Sequence, residues 1–426
     1  MSAISLSTSL TFQAITLITE KKEDEIAEMQ ITPLVNTNIN EEDFFSFLYP
    51  KNIDEFANIP DSSFQIDLET LFKEAPFIFN DLEHIHDLED KTSHIIDFCE
   101  KLSEEEFSDF LTNIDEGNLD EVSKELFIDK EVFIANFKKM IREFSCGVRP
   151  ENTRNNRYRD IFPNNATRVK LSDGKYYNGN ECISGRVIVC QGPKEKEFHL
   201  GNEVHGNPTF FQMIWENDSS AIAMVTNYVE NGVPKCARYL PGSATHQLMH
   251  GPYSVKAKEI GTEGLSSDGK ERLALKGITL GEGTLEALRK EGVKVSELEI
   301  SKDGEVKTVI HSHITNWEDK KGGTATAVAA SARFLLDMEK PVIHCSAGIG
   351  RAGTVALVMA VYLAALEYLK KGEPCPQDLM PKTLASLRQE RGHAVQTFDQ
   401  YEVAYDAVKI LFGLPLVKSV NAMIKA

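Results

Sequence analysis

The spacing of apolar residues divides the chain into two parts. From Glu41 to about Leu126, apolar side chains recur every three to four positions with acidic side chains between them, a spacing that predicts amphipathic helices. Pro60, Pro76 and the turn at 115–117 interrupt this pattern, so we expect several short helices. The residues before it, 1–30, begin with a Ser- and Thr-rich run and are expected to form a flexible leader.

The second part of the chain mixes helical and strand periodicities. Residues Asp129–Phe144 place apolar side chains on one face of a helix. Two apolar runs flank Lys302-Asp303-Gly304 and predict a hairpin. The predicted strands are Arg186–Cys190, Ala221–Thr226, Val295–Ile300 and Glu305–Ile310, and the predicted helices include Phe210–Trp215, Thr284–Glu291, Lys382–Arg391 and Tyr401–Leu411.

Charge separates the same two parts. Residues 1–120 carry 28 acidic and 6 basic side chains, a net charge of −22, whereas the remainder carries +3 of the total of −19. We therefore predict a small acidic α-helical domain at 31–120 and a second domain at 121–426. The negative charge argues against nucleic acid as a partner of the first domain. We expect that domain to bind a chaperone or adaptor, with a structural cap as the alternative.

Cysteine and histidine spacing excludes several classes of protein. The seven cysteines show no paired spacing, which favours a reducing compartment. His84 and His86 lie two positions apart, which is wrong for one helix face, so no metal site is expected. We expect no membrane span outside a core helix after residue 353, and no Sec signal peptide, because Ile4–Ile18 lacks a basic start. The predicted location is cytoplasmic.

One stretch carries the candidate chemistry, namely His344-Cys345-Ser346-Ala347-Gly348-Ile349-Gly350-Arg351. A short apolar run at 340–343 predicts a buried strand before it, and the Ala- and Leu-rich run from Thr354 to about Lys371 predicts a helix after it. A loop between a strand and a helix N-terminus can aim backbone N–H groups at an anion, and the guanidinium of Arg351 suits two phosphate oxygens. Within such a ring of donors we expect Cys345 to be a thiolate nucleophile.

At these residues the chain resembles the protein tyrosine phosphatase family, whose signature is His-Cys, five residues, then Arg and Ser or Thr. The resemblance covers about residues 125–413 and implies an α/β fold, a twisted mixed β-sheet flanked by helices. It implies in-line attack by Cys345 on phosphotyrosine, with Arg351 and the backbone N–H groups of the loop holding the phosphate oxygens. It also implies phosphotyrosine-containing proteins as partners, and no metal or cofactor.

Further motifs resemble the family in the same order along the chain. Tyr158 and Asp160 are similar to its phosphotyrosine-recognition loop, in which a tyrosine stacks on the phenyl ring of the substrate and a carboxylate accepts from peptide N–H groups. Glu230 resembles the glutamate that holds the signature arginine in its productive rotamer. Lys235 is expected to approach the loop that carries the general acid.

That acid loop resembles the family at Trp317 and Asp319. The resemblance implies that Asp319 protonates the leaving phenolate and then takes a proton from the attacking water, with Gly322-Gly323 as a hinge. Gln396 and Gln400 resemble the glutamine loop, in which Gln396 positions the water that hydrolyses phosphocysteine.

Two departures from the family pattern lie beside the chemistry. Ala352 stands where the family has a Ser or Thr whose hydroxyl donates to the thiolate. Losing one hydrogen bond to a charged group costs about 1.5–3 kcal/mol, so we expect slower breakdown of phosphocysteine. Glu318 replaces a proline, and the loss of its stiffness predicts altered closing of the acid loop.

The sequence leaves three functions open. The first is an active tyrosine phosphatase. The second is a weakly active or inactive phosphotyrosine-binding module, motivated by Ala352 and Glu318. The third is a phosphatase for phosphoserine or lipid phosphate, against which Tyr158 argues.

Two settings also stay open. One is a cytosolic signalling enzyme. The other is a bacterial effector secreted into the host cytosol. The acidic leader favours this setting, and so does the region 250–312, which resembles the family least.

Overall fold

The computed structural model describes residues 146–159, 161–199, 202–317, 323–371, 375–376 and 378–412. The predicted leader, the acidic domain and the helix Asp129–Phe144 lie outside the described residues. So do Asp160, the predicted general acid Asp319 with its neighbour Glu318, and Gly322.

A mixed sheet forms the centre of the described part. The strands are β1 (Gly179–Cys182), β2 (Val187–Cys190), β3 (Glu197–His199), β4 (Asn202–Val204), β5 (Ala221–Met224), β6 (Val229–Glu230), β7 (Val233–Pro234), β8 (Gln247–His250), β9 (Tyr253–Glu259), β10 (Val293–Lys302), β11 (Glu305–Ile314) and β12 (Val342–His344). Eight of them pair in the order β1-β2-β12-β5-β11-β10-β9-β8. The pairs that join β2, β12, β5 and β11 are parallel, and the outer pairs are antiparallel.

Helices flank this sheet. They are α1 (Pro150–Thr153), α2 (Pro208–Glu216), α3 (Ser267–Ala274), α4 (Glu282–Lys290), α5 (Ala325–Leu336), α6 (Gly350–Lys371), α7 (Leu379–Glu390) and α8 (Phe398–Leu411). The predicted α/β class, with a twisted mixed sheet flanked by helices, is confirmed. The stretch Gly350–Tyr368 of α6 is long and apolar enough to cross a membrane, but 78% of it is buried inside the protein, as in a core helix.

Side chains of the central strands alternate between two apolar cores. Val189 and Ile343 pack in one cluster with α5, α6 and α8, while Ile188 and Val342 pack in the other cluster, which contains the aromatic residues of α2. The period of two follows from the pleat of a strand. Because both faces of β12 are covered, the residue that follows it, Cys345, leaves the sheet at its centre.

Three helices begin three or four residues earlier than predicted. The helix after the signature begins at Gly350 rather than Thr354, so the signature arginine lies in its first turn. The next helix begins at Leu379 and includes Pro381, because proline is tolerated in a first turn, where backbone N–H groups have no partner within the helix. The last helix begins at Phe398, three residues before the predicted start, and Thr397 caps it.

The predicted hairpin is confirmed. β10 and β11 pair from Val293 opposite Ile314 to Lys302 opposite Glu305. The two turn residues, Asp303 and Gly304, have φ of 52° and 84°, as a two-residue turn with two left-handed positions requires. The hairpin places β11 beside β5, so that the chain reaches Trp317 on the same side of the sheet as Cys345.

A buried polar chain joins β11 to β12. The hydroxyl of Tyr239 lies 2.7 Å from Nε2 of His311 and 2.8 Å from Nε2 of His344. Nδ1 of His344 lies 3.3 Å from the carbonyl oxygen of Cys345. A carbonyl only accepts, so Nδ1 of a neutral His344 carries the proton, its Nε2 accepts from Tyr239, and His311 donates to the tyrosine oxygen. Burial keeps His344 neutral by lowering its pKa to about 3.

Replacing His344 by glutamine is expected to reduce the loss of unfolding free energy that occurs as the pH falls below about 6.5. The imidazole of His344 titrates near 6.5 in the unfolded chain, but burial lowers its pKa to about 3 in the folded one. Its contribution to the free energy of unfolding is therefore complete above about pH 6.5 and is lost as the pH falls, by at most about 1.4 kcal/mol per pH unit. Urea unfolding of wild type and His344→Gln at several pH values between 7 and 4 measures this slope, and parallel profiles would contradict the assignment.

Candidate active site

The loop from Cys345 to Gly350 forms the base of the site. Cys345 is 4% exposed, and the backbone N–H of Gly348 donates to its Sγ at 3.2 Å. Gly348 has a φ of +75°, and a Cβ at this position would overlap the carbonyl group of Cys190. Only glycine fits there, so the signature's glycine is required for a loop that turns an N–H group toward the sulfur.

Arg351 is held by a buried ion pair. Its Nη1 lies 2.6 Å from Oε1 of Glu230 and donates to the carbonyl oxygen of Trp317 at 2.8 Å. The side chains of Arg351 and Glu230 are 1% and 9% exposed. The same carboxylate oxygen accepts from the hydroxyl of Thr226 at 3.1 Å and from the N–H of Asn227 at 3.0 Å. Breaking such a pair costs about 3–5 kcal/mol, so Glu230 keeps the guanidinium in one orientation beside the loop, as the resemblance implies.

Tyr158 stands at the rim of the same loop. Its hydroxyl lies 2.9 Å from Oγ of Ser346, a residue 188 positions later in the chain. The contact fixes the ring at the edge of the base that holds Cys345. The contact therefore brings a phenol ring to the loop that holds Cys345.

Gln191 and Arg157 position the segment that carries Tyr158, and sequence reasoning missed both roles. Oε1 of Gln191 accepts from the N–H of Arg157 at 2.8 Å, and its Nε2 donates to the carbonyl of Asn155 at 2.7 Å. Arg157 in turn donates to the carbonyl groups of Gly192 and Pro193. Gln191 directly follows the predicted strand Arg186–Cys190, but no local pattern indicates that its amide binds a segment 34 residues earlier.

The two glutamines lie against the start of α6. A Cβ on Gly350 would lie 2.5 Å from Oε1 of Gln396 and 3.0 Å from Nε2 of Gln400. The N–H of Gln396 donates to Oε1 of Gln400 at 2.9 Å, and Gln400 is fully buried. The side-chain amides of both glutamines therefore pack against Gly350, the last residue of the loop that holds Cys345.

The acid loop is described only at its two ends. Trp317 is 1% exposed, and Gly323 has a φ of +78°. A Cβ on Gly323 would lie 2.8 Å from the indole ring of Trp317, so the two ends of the segment are in contact. The roles of Asp319 and Asp160 stay predictions, since both residues lie outside the described part. The same applies to the expected approach of Lys235 to the acid loop.

Ala352 is fully buried in the first turn of α6. The hydroxyl of Thr354, two positions later, donates to the carbonyl of Gly350 at 2.9 Å. Since that hydroxyl is engaged with the backbone, it does not replace the donor that the family places at position 352. The hydrogen bond described at the sulfur is the one from Gly348.

The chemistry of these groups is that of an oxyanion site with a nucleophile at its base. The six described cysteines are free thiols. Within the described ranges, no cluster of three His, Cys, Asp or Glu side chains is arranged to hold a metal ion. The site combines a thiol, a guanidinium held by an ion pair, backbone N–H groups of the loop and a tyrosine ring. This combination is suited to a phosphate monoester with an aromatic leaving group.

Comparisons with known proteins agree with this geometry. The human tyrosine-protein phosphatase non-receptor type 20 is 28% identical over 299 residues, which are 68% of this chain and 62% of that protein. The human tyrosine-protein phosphatase non-receptor type 2 is 30% identical over 276 residues, which are 61% of this chain and 56% of that protein. The chain thus spans less than two thirds of the length of these curated relatives.

A solved structure from work on the structural basis of the PTPN18 fingerprint on distinct HER2 tyrosine phosphorylation sites has the same fold. It is 24% identical, has a TM-score of 0.50, and covers 71% of this chain and 95% of that one. The sequence model of the protein-tyrosine phosphatase family matches residues 152–409, more than half of the chain. This chain therefore belongs to the protein-tyrosine phosphatase family.

Proposed function

We propose that this protein hydrolyses phosphotyrosine in proteins through a phosphocysteine intermediate. The observation that carries the proposal is the single loop in which the sulfur of Cys345 accepts from Gly348, Ser346 contacts the ring-bearing Tyr158, and Arg351 is clamped by Glu230. These contacts bring residues from three distant parts of the sequence to one anion-binding base. Family membership supports the same reaction class.

In the proposed first step, the Cys345 thiolate attacks phosphorus in line with the phenolic oxygen. The S–P bond forms as the P–O bond to the tyrosine breaks. Arg351 and the loop N–H groups stabilise the equatorial oxygens, whose charge is greatest in the transition state. Asp319 gives its proton to the leaving phenolate.

In the proposed second step, water attacks phosphorus and the S–P bond breaks. Gln396 positions the water, because its amide can both accept and donate. Asp319, now a carboxylate, takes the proton from the water. Phosphate leaves, and Cys345 returns to the thiolate.

Ala352→Ser is expected to accelerate the second step. The new hydroxyl lies in the first turn of α6 and stabilises the leaving thiolate, a hydrogen bond to charge that corresponds to about tenfold in rate. Hydrolysis of para-nitrophenyl phosphate between pH 4 and 8 compares wild type, Ala352→Ser and Cys345→Ser. Cys146→Ser is the matched control, since Cys146 is a free thiol remote from the loop in sequence.

Turnover that is lost only in Cys345→Ser and raised in Ala352→Ser supports hydrolysis through a phosphocysteine intermediate. Folded wild type without turnover, and no recovery in Ala352→Ser, would overturn the proposal in favour of a phosphotyrosine-binding module.

Tyr158→Ala is expected to reduce the preference for phosphotyrosine over phosphoserine peptides of the same sequence. Loss of the stacked ring raises KM for the phosphotyrosine peptide by up to about tenfold and opens the rim to shorter side chains. Tyr158→Phe keeps the ring and loses only the contact with Ser346, so it should retain most of the preference. A wild type that prefers phosphoserine, or an unchanged ratio in Tyr158→Ala, would contradict the assignment of substrate class.

We further propose that the enzyme acts as a secreted bacterial effector in the cytosol of a host cell. The strongly acidic residues 1–120 and the divergent region 250–312 support this setting over a cytosolic signalling role. A reporter fused to the full chain and to residues 121–426 measures delivery into host cells. Equal absence of both fusions from the host cytosol would overturn the proposal.

A further inference from the structure

Arg391 lies fully buried beneath the loop that holds Cys345, at the C-terminal end of α7. Its Nη2 donates to the carbonyl oxygen of Ala347 at 3.0 Å, and its Nε donates to that of Gly348 at 3.0 Å. A carbonyl that is bound on the outer side of a tight loop cannot turn inward. Because the N–H of Gly348 points at Sγ of Cys345, Arg391 holds the loop in the orientation that aims donors at an anion.

Other carbonyl groups of the loop are held in the same way. That of Ser346 accepts from the N–H of Gly192 at 3.0 Å, and that of Ile349 accepts from the N–H of Val395 at 3.1 Å. These donors are uncharged backbone groups. Arg391 differs from them, since it binds two adjacent carbonyls with one rigid fork and carries a full positive charge.

The other edge of the guanidinium also meets uncharged acceptors. Nη1 donates to Oδ1 of Asn178 at 2.8 Å and to Oδ1 of Asn180 at 2.9 Å. The two amides are oriented by their own NH₂ groups: that of Asn178 donates to Oδ1 of Asn156 and to a carbonyl after Tyr158, and that of Asn180 donates to two acceptors after Tyr158. Among the described residues, no carboxylate forms an ion pair with Arg391. The two buried arginines of the site therefore differ in the charge of their partners. The charge of Arg351 is offset by the carboxylate of Glu230, whereas Arg391 donates to neutral oxygens.

An uncompensated buried charge is costly unless an opposite charge arrives. Burial lowers the pKa of Arg391, and the thiols of Cys182, Cys190 and Cys345 and the phenol of Tyr176 oppose this shift. The imidazole of His393 also interacts with the charge of Arg391, but burial keeps it neutral by lowering its pKa to about 4. Among the four acidic groups, Cys345 is the one placed in the anion-binding loop. Its thiolate and a bound phosphate are thus the anions that the charge of Arg391 favours.

We propose that Arg391 is a positioning residue of the phosphate-binding loop and supplies the uncompensated positive charge that stabilises the Cys345 thiolate and a bound phosphate. It acts through the carbonyls of Ala347 and Gly348 and touches neither substrate nor sulfur. The inference rests on the proposed function, since it concerns the same site. Its test therefore uses readouts that need no turnover.

Substitution of Asn180 separates charge from geometry. Asn180→Asp keeps an oxygen where Arg391 now donates but offsets its charge, while Asn180→Ala loses the same NH₂ donor and adds no charge. Mass spectrometry of the peptide that contains Cys345 measures alkylation by iodoacetamide against pH, and protection by inorganic phosphate. Relative to Asn180→Ala, we expect Asn180→Asp to weaken phosphate protection about tenfold and to shift the alkylation curve to higher pH by about one unit.

Substitution of Arg391 tests the positioning role. Arg388→Met is the matched control, because Arg388 is a buried arginine of the same helix that donates to the carbonyls of Ala394 and Val395 instead of the loop. At comparable loss of thermal stability, we expect Arg391→Met to weaken phosphate protection about tenfold more than Arg388→Met. Arg391→Lys should recover part of this loss, since it keeps the charge and loses the fork.

Two results would overturn the inference. Identical curves for Asn180→Asp and Asn180→Ala would remove the role of the charge, and that pair decides the question even if Arg391→Met does not fold. Equal phosphate protection in Arg391→Met and Arg388→Met would reduce Arg391 to a structural residue. Failure of the proposed function appears separately, as wild type that is protected by phosphate but hydrolyses no phosphotyrosine.

Discussion

A loop can present its N–H groups to an anion only if its carbonyl groups are bound on the opposite side. In this protein the carbonyls from Cys345 to Ile349 meet donors from His344, Gly192, Arg391 and Val395. An unbound buried carbonyl costs free energy comparable to a lost hydrogen bond. The anion site is therefore a property of the surroundings of the loop as much as of the loop itself.

The groups that bind the loop and Arg351 come from distant parts of the chain, because β12 is central in the sheet. Its neighbours are β2 and β5, and both run parallel to it. The carboxyl ends of parallel strands meet at one edge of a sheet, where ligands bind in open α/β folds. The turn after β2 brings Gly192, and the segment after β5 brings Glu230. Trp317 follows the hairpin of β10 and β11, and its carbonyl oxygen accepts a hydrogen bond from Arg351.

The site balances its two arginines differently. Arg351 is paired with Glu230 and is thereby fixed in direction, as its proposed contact with phosphate oxygens requires. Arg391 is paired with neutral oxygens, which leaves its field uncancelled beneath the loop. Since Ala352 carries no hydroxyl donor, the hydrogen bond at the sulfur of Cys345 comes from the backbone N–H of Gly348. The buried Tyr239 chain adds a rigid, neutral link between β11 and the carbonyl of Cys345 without adding charge.

Local pattern was sufficient for much of the fold and the site. The alternation of apolar residues predicted β5, the hairpin and α2, because a two-sided core imposes the period of strands and helices directly on sequence. The string from His344 to Arg351 predicted the candidate nucleophile and its anion site, because a buried strand, a glycine-containing loop and a helix N-terminus follow one another directly in the sequence.

Tertiary structure decided which distant groups complete that site. Gln191 binds a segment 34 residues earlier and Arg391 binds backbone carbonyls of the loop, and no sequence period indicates either contact. Glu230 was expected from the resemblance to the family alone, because its partner Arg351 lies 121 residues later. The start of α6 at Gly350, earlier than its apolar pattern indicated, has the same cause. Hydrogen bonds and packing around the loop stabilise a glycine-rich first turn that helix propensity alone disfavours.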